Sequence, residues 1–342
     1  ASSDFMCVDY PRDFDVRRFE LRDNYRSSRA VMEAAQILEP EYRPEGRVPI
    51  EGEFTVTCYD DDDLEAEGIA GAIRVLLADG HPDVSAPTPE GIAVISRRRT
   101  ILEKVAGHLA DKSIRCFIRS AGVGPSFDSD LMNAIWLSLR VNTNPKDSFH
   151  RSRLDEVMFT DHAEGFDECV ACVVRVLSGF DTDDMGALDE ARREIERYAG
   201  TLVDENEFGD ITGDLEVWDS LTNDYLMSTS PGGRSLEGLM STSSMRNSGT
   251  SDGGGVVLST VHMSKGLEFD VVFIASVNEG ILPDYRSRSD ASLAEEKHNL
   301  FVSITRARRV CRLSFVRNRK GWRGFVREEP SRFIQGLINR YL

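Results

Sequence analysis

Residues 256–277 read VVLSTVHMSKGLEFDVVFIASV. Two apolar runs, VVLSTV and DVVFIASV, flank a small-residue turn at Ser264-Lys265-Gly266. Short apolar runs of this kind are typical of strands buried on both faces of a parallel sheet. Thr260 and His262 end the first strand, and Glu268 precedes the second. Ligands of open α/β sheets sit beyond the carboxyl ends of strands, so the turn is placed to meet one. Its Lys-Gly pair invites comparison with a phosphate loop. That loop requires GxxxxGK[ST], whose backbone N–H groups surround the phosphates, and no such run occurs in the 342 residues. Lys265 is not a phosphate-loop lysine, and His262 taken alone also reads as an ordinary loop histidine.

On either side of this stretch, strand and helix patterns alternate. FTVTCY (54–59), GIAVIS (91–96) and IRCFIR (114–119) predict strands, while EAEGIAGAIRVLL (65–77) and TILEKVAGHLAD (100–111) repeat apolar residues at helical spacing. These are βαβ units. From about Phe127 to Leu226 the pattern is helical, through LMNAIWLSLRV, RLDEVMF, ECVACVVRVL, ALDEARREIERYA and DLEVWDSLTNDYL. Ser, Thr and Gly dominate 228–255, which predicts a flexible connection. The β/α style then resumes through the helix ASLAEEKHNLFVSITRA, the strand VCRLSFV and the helix SRFIQGLINRYL. The expected fold is a doubly wound α/β domain with a parallel sheet, built from residues 1–125 and 255–342. An acidic helical domain at 126–254 interrupts it.

The length leaves room for two cores. The formal net charge of −17 is concentrated: residues 147–255 carry 24 acidic and 8 basic side chains. The segment from Phe301 onward is basic, with Arg306, Arg308, Arg309, Arg312, Arg317, Arg319, Lys320, Arg323 and Arg327 against only Glu328 and Glu329. A local basic surface can hold phosphates even in an acidic chain, although a solvated face explains the same residues. The six cysteines, Cys7, Cys58, Cys116, Cys169, Cys172 and Cys311, lack the spacing of a disulfide scaffold and read as reduced thiols of a cytoplasmic protein. Cys169 and Cys172 form a CxxC inside an apolar run, which reads as helix core since a structural zinc site takes about four ligands. No metal site is expected. No apolar run approaches the roughly 20 residues of a membrane span.

Two further stretches carry chemistry. DNYRSS (23–28) precedes the helical pattern AVMEAAQIL, with Ser27 or Ser28 as N-cap. Arg26 and Arg29 then stand at the positive end of a helix, an electrostatic conflict that a bound anion would remove. EEKHNLFVSITRARR (295–309) places Leu293, Leu300, Phe301 and Ile304 on one helical stripe, with Arg306 at the C-terminal end, where a cation is welcome on structural grounds alone.

Together these stretches resemble the UvrD/Rep/PcrA family of DNA helicases. RFELRDNYRSSRAVMEAAQIL is similar to motif IV, TVHMSKGLEFDVVFIASVNEGILPD resembles motif V nearly residue for residue, and EEKHNLFVSITRA is similar to motif VI. GIAVISRRRTILEKVAGHLADKSI looks like the strand and helix after motif IV, FDSDLMNAIWLSLRVNTNPKD like the lead into the family's inserted domain, and EPSRFIQGL like its closing helix. The acidic insertion matches weakly, and Asn299 stands where an apolar residue is common.

The resemblance implies the second RecA-like domain of an ATP-dependent helicase, lacking its own phosphate loop. It implies that Arg26 and Arg306 reach the γ-phosphate of ATP held by another domain, a catalytic role. Tyr25 would stack on the adenine, Glu268 take the ribose hydroxyl, and Lys265 and Gly266 lie beside the nucleotide. Thr260 and His262 would touch DNA. The Mg2+ ligands and the Walker A lysine would belong to an N-terminal helicase half. Implied partners are that half, single-stranded and duplex DNA and, at the acidic insertion, a repair or transcription protein; no membrane is involved. Translocation would run 3′ to 5′, and these residues alone would be inactive. A non-catalytic interaction module and the helicase half of a recombination helicase-nuclease remain as alternative readings.

Overall fold

The computed structural model describes residues 12, 14, 23–46, 48–119, 125, 127–179, 185–246, 254–321 and 324–342. Cys7, the RFELR portion of the motif IV stretch, residues 247–253 and Arg323 lie outside the described residues. The strands are β1 (Asp23–Asn24), β2 (Glu45–Gly46), β3 (Glu53–Tyr59), β4 (Ile92–Ser96), β5 (Cys116–Ile118), β6 (Val256–Thr260), β7 (Phe269–Ile274), β8 (Ala307–Val316), β9 (Asn318–Gly321) and β10 (Gly324–Arg327). The helices are α1 (Arg29–Leu38), α2 (Asp62–Asp79), α3 (Arg99–Asp111), α4 (Asp130–Thr143), α5 (Ser148–Met158), α6 (Phe166–Ser178), α7 (Met185–Ala199), α8 (Glu205–Ser228), α9 (Leu236–Arg246), α10 (Asp290–Ile304) and α11 (Gln335–Tyr341).

Six strands form one sheet in the order β3-β8-β7-β4-β6-β5, and every neighbouring pair is parallel. The apolar runs explain it. In β4, Ala93 and Ile95 face one core while Ile92 and Val94 face the other, the period-2 alternation of a strand covered on both sides. β7 divides likewise, Val272 and Ile274 against Val271 and Phe273. Helices α1, α10 and α11 cover the first face through Val31, Leu38, Leu300, Ile304 and Leu337. Helices α2 and α3 cover the second through Ile69, Ile73, Leu102, Val105 and Leu109. Each fully buried Leu or Ile contributes about 1.5–3 kcal/mol relative to exposure. The α/β class expected from the sequence is the one adopted.

Helices α4 to α9 share a separate core around Ile135, Leu139, Val173, Ile195, Trp218 and Tyr225. Cys169 lies in it, and burial raises its thiol to about 12. One expectation is corrected here. Part of the Ser/Thr/Gly-rich stretch is packed structure, not flexible connection: α9 buries Leu239 and Met240 against this core. The Tyr225 hydroxyl pins the turn before α9, donating to the Ser235 carbonyl at 3.0 Å and accepting its N–H at 2.7 Å. Two apolar anchors and one buried hydroxyl suffice where composition suggested none.

The helical body meets the sheet through buried charges. Asp128 Oδ2 accepts the N–H of Arg99 at 2.8 Å, satisfying the first turn of α3. Asp214, on α8, accepts the N–H of Asp128 and of Ser129 at 2.9 and 2.8 Å and the Ser129 hydroxyl at 2.6 Å. One turn earlier, Asp210 pairs with Arg98 Nε at 3.0 Å, and Arg98 also donates to the Gly280 carbonyl at 3.1 Å. Burial pushes the Asp210 carboxyl up to about 7, with Arg98 opposing and Asp128 reinforcing the shift.

Candidate functional site

The motif IV segment is held at the start of β8. Asn24 Oδ1 accepts the N–H of Arg26 at 2.9 Å and of Ser27 at 3.1 Å, an Asx turn. Ser28 stands at the N-cap of α1, as expected, but its hydroxyl does not cap the helix. It donates to the Arg309 carbonyl at 2.9 Å, the Ser27 hydroxyl to that of Ala307 at 2.8 Å, and the Ser28 N–H to that of Arg308 at 2.8 Å. The reason is register. β3 begins pairing with β8 only at Val310, so the carbonyls of 307–309 lack a ladder partner on that side, and the two serines supply donors.

Gly52 permits this approach. Its φ is +68°, and a Cβ there would collide with Ser28 Oγ and the Arg309 carbonyl oxygen. Gly52→Ala is therefore expected to cost about 1–3 kcal/mol, the range for strained backbone, read as a lowered urea midpoint. An unchanged midpoint would show that the contact is dispensable.

This anchoring brings the expected nucleotide residues together. Arg26 Nε lies 2.6 Å from Glu268 Oε1, and Arg308 Nε and Nη2 donate to Glu268 Oε2 at 3.2 and 3.1 Å. Arg306 donates through Nη1 to the Leu267 carbonyl at 3.2 Å and through Nε to the Val302 carbonyl at 3.0 Å. Burial lowers the Arg306 pKa and Arg26 adds to the fall, while Glu268 opposes it; a guanidinium starts so high that it stays charged. Tyr25 presents its ring to solvent, 73% exposed, with its hydroxyl 3.2 Å from Asp23 Oδ2. Three guanidinium groups around one carboxylate form a cationic patch suited to a polyphosphate. The charge conflict expected at the start of α1 is met within the chain, because Glu268 pairs with Arg26 and Glu51 with Arg29.

The Lys-Gly pair is a turn with a defined geometry. Lys265 has φ −58° and ψ 128°, Gly266 has φ +84°, and the Leu267 N–H donates to the Ser264 carbonyl at 3.1 Å. This is a type II turn, which needs a positive φ at its third residue and so favours glycine there. Lys265 and Gly266 are both exposed.

A second expectation is corrected by the sheet. Only Thr260 and His262 lie at a carboxyl end, that of β6; Glu268 and Arg306 immediately precede β7 and β8, at their amino ends. Residues 261–268 thus travel from one edge of the sheet to the other, past β4, which lies between β6 and β7. Thr260 and His262 line a depression of about 320 Å³ at the carboxyl edge. Loss of water around part of the His262 ring lowers its pKa, with Arg97 and Lys265 adding to the shift. Its imidazole is neutral at neutral pH and can both donate and accept.

Arg308 and Arg309 escaped residue-by-residue reading, although their place in the basic run was the signal. The broad basic surface expected from Phe301 onward is largely neutralised: Arg308 pairs with Glu268, Arg312 with Glu53, Arg317 with Asp60, and Arg319 with Asp62 and Glu328. Most of these acids come from the first 65 residues, which the sheet topology brings alongside. Among the described residues, no group of three or more His, Cys, Asp or Glu could hold a metal ion, and no helix is long and apolar enough to cross a membrane.

Residues 214–318 match the family described as UvrD-like helicase C-terminal domain. The chain is similar to the DNA helicase II of Rickettsia typhi, 41% identical over 91 residues, which is 26% of this chain and 14% of that protein. It is also similar to the ATP-dependent DNA helicase Rep of Escherichia coli K12, 39% identical over 82 residues, 24% of this chain and 12% of that protein. The matches thus span about an eighth of the length of these curated relatives. Among solved structures, the C-terminal domain of a possible DNA helicase from Lactobacillus plantarum aligns at 10% identity and a TM-score of 0.36, covering 91% of this chain and 92% of that one.

Proposed function

We propose that this chain, which carries a UvrD-like helicase C-terminal domain over residues 214–318, is the part of an ATP-dependent DNA helicase that closes on ATP held by another domain. Residues 1–125 and 255–342 form the second RecA-like domain in this reading, and 126–254 are its inserted helical domain. The observation that carries it is the gathering of Arg26, Glu268 and Arg306 from three distant stretches around the start of β8.

The chemistry follows from the charges. Arg26 and Arg306 neutralise charge developing on the γ-phosphate, Tyr25 stacks on the adenine, Glu268 accepts from the ribose hydroxyl, and Lys265 and Gly266 border the nucleotide. Thr260 and His262 contact the DNA strand at the opposite sheet edge, so residues 261–268 couple nucleotide to grip. Mg2+ is held by the domain that carries the phosphate loop. Strand separation runs 3′ to 5′, the setting is cytoplasmic, and the acidic helical domain faces a repair or transcription partner.

The 342 residues contain no phosphate loop, so the purified chain is expected to give no ATP turnover with or without single-stranded DNA, whereas the full-length protein hydrolyses ATP and unwinds 3′-tailed duplex. Turnover by the chain itself, or a full-length protein inert towards both ATP and DNA, would overturn the reading.

A further inference from the structure

The depression lined by Thr260 and His262 is far more cationic than the chain around it. Arg97, Arg98, Arg99, Arg119, Arg153 and Arg286 line it, against Asp128 and Asp284, in a protein whose formal net charge is −17. Four of these arginines are committed. Arg97 pairs with Glu296, Arg98 with Asp210, Arg99 with Glu103, and Arg286 with Asp284 and Asp130. Arg119 and Arg153 differ: both are exposed, and neither has a carboxylate partner among the described residues.

Their positions are complementary. Arg119 follows β5 at the carboxyl edge of the sheet, and its N–H donates to the Leu258 carbonyl at 2.7 Å, fixing its backbone beside the strand that ends in Thr260. Arg153 projects from α5, on the helical body. One wall of the depression thus belongs to the sheet and the other to the helices, each contributing an unpaired guanidinium. Such a group keeps its counterions in solution and releases them when a phosphate takes their place, which makes a polyanion with regularly spaced charges its natural ligand. The fork of the guanidinium also fits phosphate oxygens in two-point contact.

We propose that Arg119 and Arg153 hold successive phosphodiesters of a single nucleic-acid strand that crosses Thr260 and His262 between the sheet and the helical body. The inference rests on the DNA-contacting role proposed for Thr260 and His262, and it adds the helical body to the track through Arg153.

The test is the salt dependence of binding. Affinity of the full-length protein for a fluorescent single-stranded oligonucleotide is measured by anisotropy across a salt series. Each of Arg119→Ala and Arg153→Ala is expected to reduce the slope of log K against log salt by about 0.7, the value for one phosphate contact on a single strand. The double variant should lose about twice that. Arg119→Lys and Arg153→Lys should restore the slope, since the point charge is kept, and Arg74→Ala, an exposed arginine on α2, should leave it unchanged. If the wild-type protein binds the strand and both Ala variants retain its slope, the assignment of these arginines is wrong while the helicase reading stands. If the wild-type protein binds no single strand, both fall together. A slope change seen equally with an acidic peptide would replace the nucleic acid by a polyanionic protein segment and overturn the proposal.

Discussion

Arg306→Ala in the full-length protein is expected to lower the kcat for ATP by about 10³–10⁵, the range for removing an arginine that stabilises phosphoryl transfer. Nucleotide affinity should fall by no more than about tenfold, because the phosphate loop and base contacts lie elsewhere in this scheme. The asymmetry is the point: a group acting on charge that develops in the transition state changes turnover more than binding. Arg26→Ala should behave in the same direction. Arg306→Lys should recover little, since an ammonium cannot reproduce the bonds from Nη1 to the Leu267 carbonyl and from Nε to the Val302 carbonyl that aim the side chain. The measurements are steady-state turnover with a binding titration on the same preparation. Retained turnover in both Ala variants would remove these residues from the site.

Arg98→Met should destabilise the chain by about 3–5 kcal/mol at pH 8, the usual loss when one member of a buried ion pair is removed. It leaves Asp210 without the cation 3.0 Å away, in a joint that also holds Asp128 and Asp214. The loss should be smaller at pH 5 by about 1.4 kcal/mol, because Asp210 without its cation keeps its proton at pH 8 whereas the paired carboxyl gives it up about one pH unit lower. The folded-state pKa of Asp210 is raised to about 7 from an ordinary 3.8, so its contribution to stability is fully present below the ordinary value and is lost as pH rises through the folded one. Over that window the contribution amounts to about 4 kcal/mol. Urea melts of wild type and Arg98→Met at the two pH values give the comparison. An equal loss at both would mean that Asp210 keeps the same charge throughout.

The sheet was legible because its signal is local. IAVI in β4 and DVVFI in β7 carry enough apolar residues to cover both faces whatever they pair with, and α3 carries its own stripe through Ile101, Leu102, Val105 and Leu109. Strand order is not local: β3 pairs with β8 across nearly the whole described chain, and no short pattern encodes that. Arg26, Glu268 and Arg306 could be named from motifs, but Arg308 gains its meaning only when β8 stands beside the turn that ends at Glu268. Asp210 and Asp214 were invisible within an acidic stretch. Their burial is decided by Arg98, Asp128 and Ser129, residues brought close by folding and not by sequence. The α9 helix was masked by serine and threonine, whose weak helical preference is overridden by Leu239 and Met240 reaching a core.

The chain leaves the sheet after β5 and returns to it at β6, and these two strands are direct neighbours, with Cys116 opposite Val256. The pair is parallel, so the chain leaves at the carboxyl end of β5 and returns at the amino end of β6, but both strands are short and neighbouring strands lie about 4.8 Å apart, so everything between them is a loop whose ends stay close together. Closing such a loop costs entropy that grows only as the logarithm of its length, about 0.6 kcal/mol for each doubling. A body inserted at this junction can therefore be enlarged, shortened or rebuilt over time with little penalty to the sheet, provided that the exit and return strands keep their register. The same junction also joins strands far apart along the chain, and pairings so distant are slow to form.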